Sequence, residues 1–234
     1  MIRWPATELD PTSFPAWRDG IARHDGAATD PAPRCYPGYP TVPLPRRRRW
    51  RSSLDRALAA RRSAGALTRE LPTADELGRI CGLSHGITAD RGRGPVPSAG
   101  GLQALELYAA VLVPGWLATG VYHYDRVAHA LARVADPLDH DRVPSLATVD
   151  GGGLLWIVVG DGARVSAKYG ARALRFLLVE AGHLMQNLCV VSADVGLVTL
   201  PLGGFYERGL ACALGLPDGD EVLYVGLCGH RANS

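Results

Sequence analysis

Lys168 separates itself first, by its chemistry. It is the one lysine in a chain with 25 lysines plus arginines. Arginine stays protonated at any working pH, whereas a desolvated lysine can give up its proton near neutrality. A site that must exchange a proton can use Lys168 and could not use an arginine in its place. Arg164, a cationic neighbour, would favour the neutral amine.

Three further segments carry weaker signals. Arg61-Arg62-Ser63 sets two guanidinium forks and a hydroxyl at an expected helix end, which suits a phosphate monoester. Ser98, followed by Ala99, Gly100 and Gly101, gives a loop with unhindered backbone amides. Gly203-Gly204, after Pro201, offers a second backbone edge able to donate to a flat heterocycle. Taken together they describe a flavin mononucleotide (FMN) site assembled from separated segments, with Lys168 nearby. Other chemistries lack their signatures. G-x-S-x-G, H-E-x-x-H, the Walker A loop and the EF-hand loop are absent, and Gly92-x-Gly94 has neither a third glycine nor a leading strand. The seven histidines show no metal spacing, so no metal site is expected. His123, in Tyr122-His-Tyr-Asp125, reads as strand-edge packing. His183 shares a helix face with Asn187 and reads as a satisfied core histidine.

These residues need elements to position them. The stretch from about Ser166 to Ala193 has helical periodicity, with Leu174, Leu177, Leu178, Ala181, Leu184, Met185 and Leu188 over a wide arc. Such an arc predicts a long helix buried on several sides, with Lys168 in its first turn. Before it, Ser52–Arg62 reads as a helix, and Thr73-Ala-Asp-Glu76 has capping-box spacing for a second. Strands are expected at Glu106–Val113, Val121–Tyr124, Leu154–Val159, Gly196–Thr199 and Val222–Leu227. A loop is expected over Leu200–Phe205 and a short helix near Glu207–Leu214. The stretch up to about Asp150 gives no pattern. Helices and strands interleave without βαβ repetition, which favours an α+β sandwich.

Whole-chain properties bound the alternatives. A length of 234 residues suits one domain with an arm. Nine of the 17 prolines fall in the first 45 residues, so residues 1–49 read as an extended arm and 50–234 as the domain. A net charge of +2 argues against a nucleic-acid binder despite the run Arg46–Arg49. No stretch approaches 18 consecutive apolar residues, and the start has no secretory pattern, so no membrane is expected. The five scattered cysteines, none in C-x-x-C, read as buried reduced thiols of a cytoplasmic protein.

In order, Arg61-Arg62-Ser63, Arg93-x-x-x-Pro97-Ser98-Ala-Gly-Gly and Gly120-Val-Tyr-His-Tyr-Asp125 resemble the FMN-dependent nitroreductase fold family. Lys168-Tyr169-Gly, Glu180-Ala-Gly-His183-Leu-Met-Gln186-Asn187 and Gly196-Leu-Val-Thr-Leu-Pro-Leu-Gly203-Gly204-Phe205 continue the resemblance. The Lys-Tyr pair and the Tyr-His-Tyr segment resemble its SagB-type dehydrogenase branch, the azoline oxidases. The resemblance covers about residues 50–230 and implies a homodimeric α+β sandwich around a long central helix, with an antiparallel or mixed sheet and FMN at the dimer interface. Carried over by position, Arg61, Arg62, Ser63 and Arg231 would hold the phosphate end. Pro97 and Ser98 would line the flavin, Leu202, Gly203 and Gly204 would meet its N5 edge, and Lys168 and Tyr169 would be the catalytic pair. Gly101 departs from the family, many of whose members carry Asn there.

The branch implies oxidation of thiazoline or oxazoline rings to azoles on a peptide or a carrier-bound intermediate, among other biosynthetic enzymes. A nitro- or quinone reductase fed by NAD(P)H is a second expectation. A non-catalytic accessory protein that docks a peptide or carrier domain is a third.

Overall fold

The computed structural model describes residues 52–232. The proline-rich arm, the Arg46–Arg49 run and Cys35 lie outside the described residues.

Helix α1, Ser53–Ala60, starts at a capping box in which Ser52 and Asp55 satisfy each other's backbone amides. Helix α2, Ala74–His85, starts the same way at the spacing read from the sequence. The Glu76 amide donates to Thr73 Oγ1 at 3.3 Å, and the Thr73 amide to Glu76 Oε2 at 2.8 Å. Helix α3, Gly162–Tyr169, is capped by Asp161, and helix α4 runs over Ala173–Asp194. Helix α5, Glu207–Leu214, ends at Gly215 in the left-handed conformation.

Strands β1 (Leu105–Val111), β2 (Gly120–Asp125), β3 (Ala130–Ala135), β4 (Leu154–Asp161), β5 (Leu197–Leu202) and β6 (Asp220–His230) form one six-stranded sheet of order β3-β2-β1-β4-β6-β5. Every pairing is antiparallel. Seven consecutive residues of β4, Leu154–Gly160, are buried, as a central strand covered on both faces must be.

The two faces carry separate cores. On one, Leu105, Leu107, Trp156 and Val158 meet Leu77 and Ile80 of α2 and Leu177, Leu184 and Leu188 of α4. Helices α1, α2 and α3 all pack on α4, which makes it the hub of the helical layer. On the other face, Leu155, Ile157 and Val225 meet Val143, Phe205 and Leu210. This is the α+β sandwich expected from the sequence.

Four expectations are corrected. The long helix is two helices, broken by a turn at Gly170–Arg172, where Gly170 has φ 52° and ψ −131°. That conformation is open to glycine and costly for other residues. Leu200–Leu202 belong to β5; Pro201 is tolerated there because β5 is an edge strand. β3, the other edge, lies in the stretch that showed no pattern, and its burial is irregular because only one neighbour covers it. The central helix is also less enclosed than its apolar arc suggests, since Leu178 and Val179 are 46% and 53% exposed.

Candidate functional site around the glycine loop

The break at Gly170 decides where Lys168 goes. It lies in the last turn of α3, not the first turn of the long helix, and its charge complements that helix's C-terminal dipole. The Lys168 Nζ sits 5.4 Å from the Tyr169 ring centroid, and that ring packs on Phe176 of α4 at 4.6 Å. Both polar tips turn onto the glycine loop. A Cβ at Gly100 would collide with Lys168 Nζ and the Tyr169 hydroxyl, and Gly100 itself has φ 59°. Only glycine meets both demands, so Gly100 is the seat of the pair. Lys168 is exposed in the single chain.

The loop is fastened from beneath by Glu180, a carboxyl on the buried side of α4 with 4% exposure. The Ala99 amide donates to Glu180 Oε2 at 3.3 Å. Burial pushes the Glu180 carboxyl up, while the Ser98 hydroxyl and the amides of Ala99 and Ala104 favour its anion. At the loop's base the Gln103 amide donates to Ser98 Oγ at 2.8 Å. Gln103 adopts φ 49°, a left-handed conformation that costs a non-glycine residue roughly 1–2 kcal/mol. Three contacts hold it there: that amide, its carbonyl, which accepts from Arg164 at 2.9 Å, and Oε1, which accepts from Arg126 at 3.1 Å. Arg126 also donates to the carbonyls of His85 at 2.6 Å and Gly92 at 3.2 Å, so one half-buried guanidinium ties the loop's approach to its base.

Arg61, Arg62 and Ser63 follow α1, which packs on α4, and Arg231 lies at the end of β6. The end of β6 runs beside the segment after Ser63: Leu67 is bridged to Arg231, and the Ala232 amide donates to Ala66 O at 3.3 Å. Arg62 is partly committed, donating to the Ala59 and Arg61 carbonyls at 2.6 and 2.8 Å and so capping α1. Arg61 and Arg231 have no carboxylate partner among the described residues, which leaves their charge for an anion. Arg61 approaches the Cys189 level of the helix, where burial pushes the thiol up to about 11 and the Arg61 charge opposes it. Glu180 and Cys189 are nine positions apart, about 13 Å along α4.

Gly203 is exposed, with open space where a side chain would stand. With Leu174, Leu178, Phe205, Leu223 and Tyr224 it lines a cleft of about 320 Å³ against the same half of α4 that carries Glu180. Leu202 is buried, and the Gly204 carbonyl accepts from the Ser145 amide at 3.1 Å and the Ser145 hydroxyl at 2.7 Å. Of this trio, Gly203 alone combines exposure with open space.

Histidine and cysteine readings change. His183 is exposed; the core histidine is His85, whose Nε2 donates to Leu105 O at 3.1 Å. His123 pairs with Glu106 at 2.9 Å on the sheet face away from α4. Burial works to raise the Glu106 carboxyl, but the His123 hydrogen bond and charge, with the charges of His85 and Arg164, together hold it below the ordinary range. Cys81, Cys189 and Cys228 are buried free thiols, whereas Cys212 is exposed. No metal-ligand cluster occurs among the described residues.

Sequence reasoning assigned no role to Glu180, Gln103 or Arg126. Glu180 had a legible signal, a carboxyl between Leu177, Ala181 and Leu184 on an apolar stripe. Gln103 and Arg126 had none, because left-handed backbone in a non-glycine residue and a contact 23 positions away leave no local mark.

The residues present fit a flavin mononucleotide. Two exposed positive-φ glycines, Gly100 and Gly101, open the loop, Gly203 leaves a second backbone edge open, and Arg61, with no carboxylate partner among the described residues, suits a phosphate. Arg93 stands beside the space at Gly101, 3.7 Å from where a Cβ would be.

Known proteins bear on this arrangement. The model of the nitroreductase family matches residues 58–230. A protein of Methanocaldococcus jannaschii assigned as a nitroreductase is 31% identical over 161 residues, 66% of this chain and 80% of its own. Among solved structures, a chain of the E. coli microcin synthetase McbBCD complex with truncated pro-MccB17 bound superposes with a TM-score of 0.70 at 20% identity, covering 97% of this chain and 96% of that one. An oxidoreductase containing FMN superposes at 0.53 and 14% identity, covering 80% of each chain. At these identities the two structures speak for the fold. The family model spans the helical hub, the glycine loop and the sheet together, and the chain therefore belongs to the nitroreductase family.

Proposed function

We propose that this chain is an FMN-dependent dehydrogenase of the SagB type, oxidising azoline rings of a peptide or carrier-bound intermediate to azoles. The observation that carries the reading is the convergence of Lys168 Nζ and the Tyr169 hydroxyl on Gly100, in the loop that would line the flavin.

Aromatising a thiazoline or oxazoline breaks two C–H bonds on adjacent ring carbons and forms one ring double bond. One hydrogen leaves as a proton and the other as a hydride. Bound FMN supplies the hydride acceptor, with oxygen as the terminal oxidant. Lys168 Nζ takes the proton, which requires the neutral amine. Tyr169 donates a hydrogen bond to the ring heteroatom and holds the ring against the loop. Arg61, Ser63 and Arg231 hold the phosphate end, joined by Arg62 where its capping bonds leave donors free. Pro97, Ser98 and Gly203 line the ring system, beside Leu202 and Gly204. Lys168 is exposed in the single chain, and bound substrate and a second copy of the chain would cover it. The copy packs on the uncovered side of α4 and α1, where Leu54, Leu58, Leu178 and Val179 are exposed.

The test starts with the spectrum of the purified protein, where oxidised flavin absorbs at about 450 nm. An azoline-bearing peptide should then lose two hydrogens by mass, without added nicotinamide. Lys168→Ala and Lys168→Arg should each keep the flavin and lose at least ~100-fold in turnover. Wild-type turnover by Lys168→Ala would end the base assignment. Rapid bleaching by NADPH alone would favour the reductase reading, and a colourless protein that takes up no FMN would favour the accessory one.

A further inference from the structure

The short helix that presents Lys168 and Tyr169 is held firmly at its start, where Asp161 caps it and the Gly162 amide donates to Gly219 O at 3.0 Å. It has eight residues, and beyond it the chain turns through Gly170. Two contacts join it to the base of the glycine loop: the Asp161 amide donates to Ala104 O at 2.8 Å, and the side chain of Arg164, one helical turn before Lys168 on the same side, reaches Gln103. Its guanidinium makes two bonds in different directions. Nε reaches Asp161 Oδ2 at 2.9 Å, and Nη1 donates to Gln103 O at 2.9 Å. Asp161 is the helix's own N-cap, accepting the Arg164 amide at 2.8 Å. Gln103 is the left-handed residue at the base of the loop, held by Ser98 and Arg126.

We infer that Arg164 is a positioning residue: its rigid fork latches α3 to Gln103 and thereby sets Lys168 and Tyr169 against Gly100. A planar fork transmits orientation between two fixed acceptors in a way an ammonium cannot. The strain at Gln103 fits this role, since a left-handed non-glycine residue persists where its surroundings over-determine it. The inference rests on reading Lys168 as the base; the latch itself is a structural contact that can be tested without substrate.

Two variants separate the latch from the ion pair. Arg164→Met removes both the bond to Gln103 and the ion pair, and leaves the Asp161 cap on the helix. Asp161→Asn removes the ion pair but keeps a capping side chain and leaves the Gln103 bond in place. With FMN-loaded protein and an azoline peptide, Arg164→Met should lower kcat about tenfold or more, with KM and the FMN dissociation constant within about threefold of wild type. Amides of residues 98–104 and 162–169 should exchange hydrogen faster in that variant. Asp161→Asn should stay near wild type in both measurements. Unchanged exchange and kcat in Arg164→Met would overturn the latch, as would an equal loss in Asp161→Asn. If the wild-type protein oxidises no azoline, the functional reading fails and hydrogen exchange alone decides on the latch.

Discussion

Two buried titratable groups near the loop respond to pH in opposite senses. His85 is lowered to about 4, first by burial and then by the Arg126 charge, while its bond to Leu105 O and the nearby Glu106 resist. The unfolded chain protonates this imidazole from about pH 6.5 downward, and the folded chain does so only near 4. Between those values the unfolded state binds more protons, so folding stability falls with acid, by up to about 1.4 kcal/mol per pH unit. Glu180 is raised by burial, so its contribution favours the folded state in acid and is lost as pH rises through its folded value. Urea unfolding from pH 6.5 to 4.5 should show the His85 slope in the wild type. In His85→Gln, which keeps a donor for Leu105 O, that slope should flatten or reverse. An unchanged slope would mean His85 is not the group responsible. At this scale Lys168 was legible from its uniqueness, but Gly100 as its seat was not, because Lys168 and Gly100 meet only through the tertiary fold.

At the scale of elements, the junction of α3 and α4 matters most. Continuous helical periodicity through residues 166–193 argued for one helix, and a single glycine overrides it. Around Gly170 no heavy atom lies within 4 Å of the place a Cβ would occupy, so Gly170→Ala meets no clash and tests the backbone alone. It should destabilise the fold by about 1–3 kcal/mol in chemical denaturation. It should also slow azoline oxidation by disturbing the helix that carries Lys168. Wild-type stability would show that the kink is not a strained conformation. The Thr73–Glu76 capping box and the buried run of β4 were readable because their causes are local: a side chain three residues away, or a strand covered on both faces. β3 was not, because an edge strand needs no consistent apolar face.

For the molecule as a whole, the uncovered side of α4 is where the fold leaves apolar surface to be covered. The span Gly162–Asp194 is long and apolar enough to cross a bilayer by length and composition, yet it is kinked at Gly170 and packs against the sheet. Its remaining apolar exposure is at Leu178 and Val179, the face on which the proposed second copy would pack. Val179→Asp should shift the protein toward monomer in sedimentation velocity. It should also weaken FMN retention, because the cleft at Gly203 is lined by the neighbouring Leu178. A variant that stays dimeric and yellow would remove this face from the interface.

The sequence alone determined the layers and the chemical inventory. Apolar periodicity, caps and turn residues act over a few positions, and a lone lysine among arginines is visible by counting. Tertiary structure decided which of those groups meet. Glu180 under Ala99, Arg164 on Gln103 and Arg231 beside the segment after Ser63 join positions 61 to 164 residues apart. Such contacts depend on chain crossings and backbone angles that no short stretch of residues encodes. The same holds for the place of Lys168: its type was written in the sequence, and its position at the end of a short helix against a glycine was set by the fold.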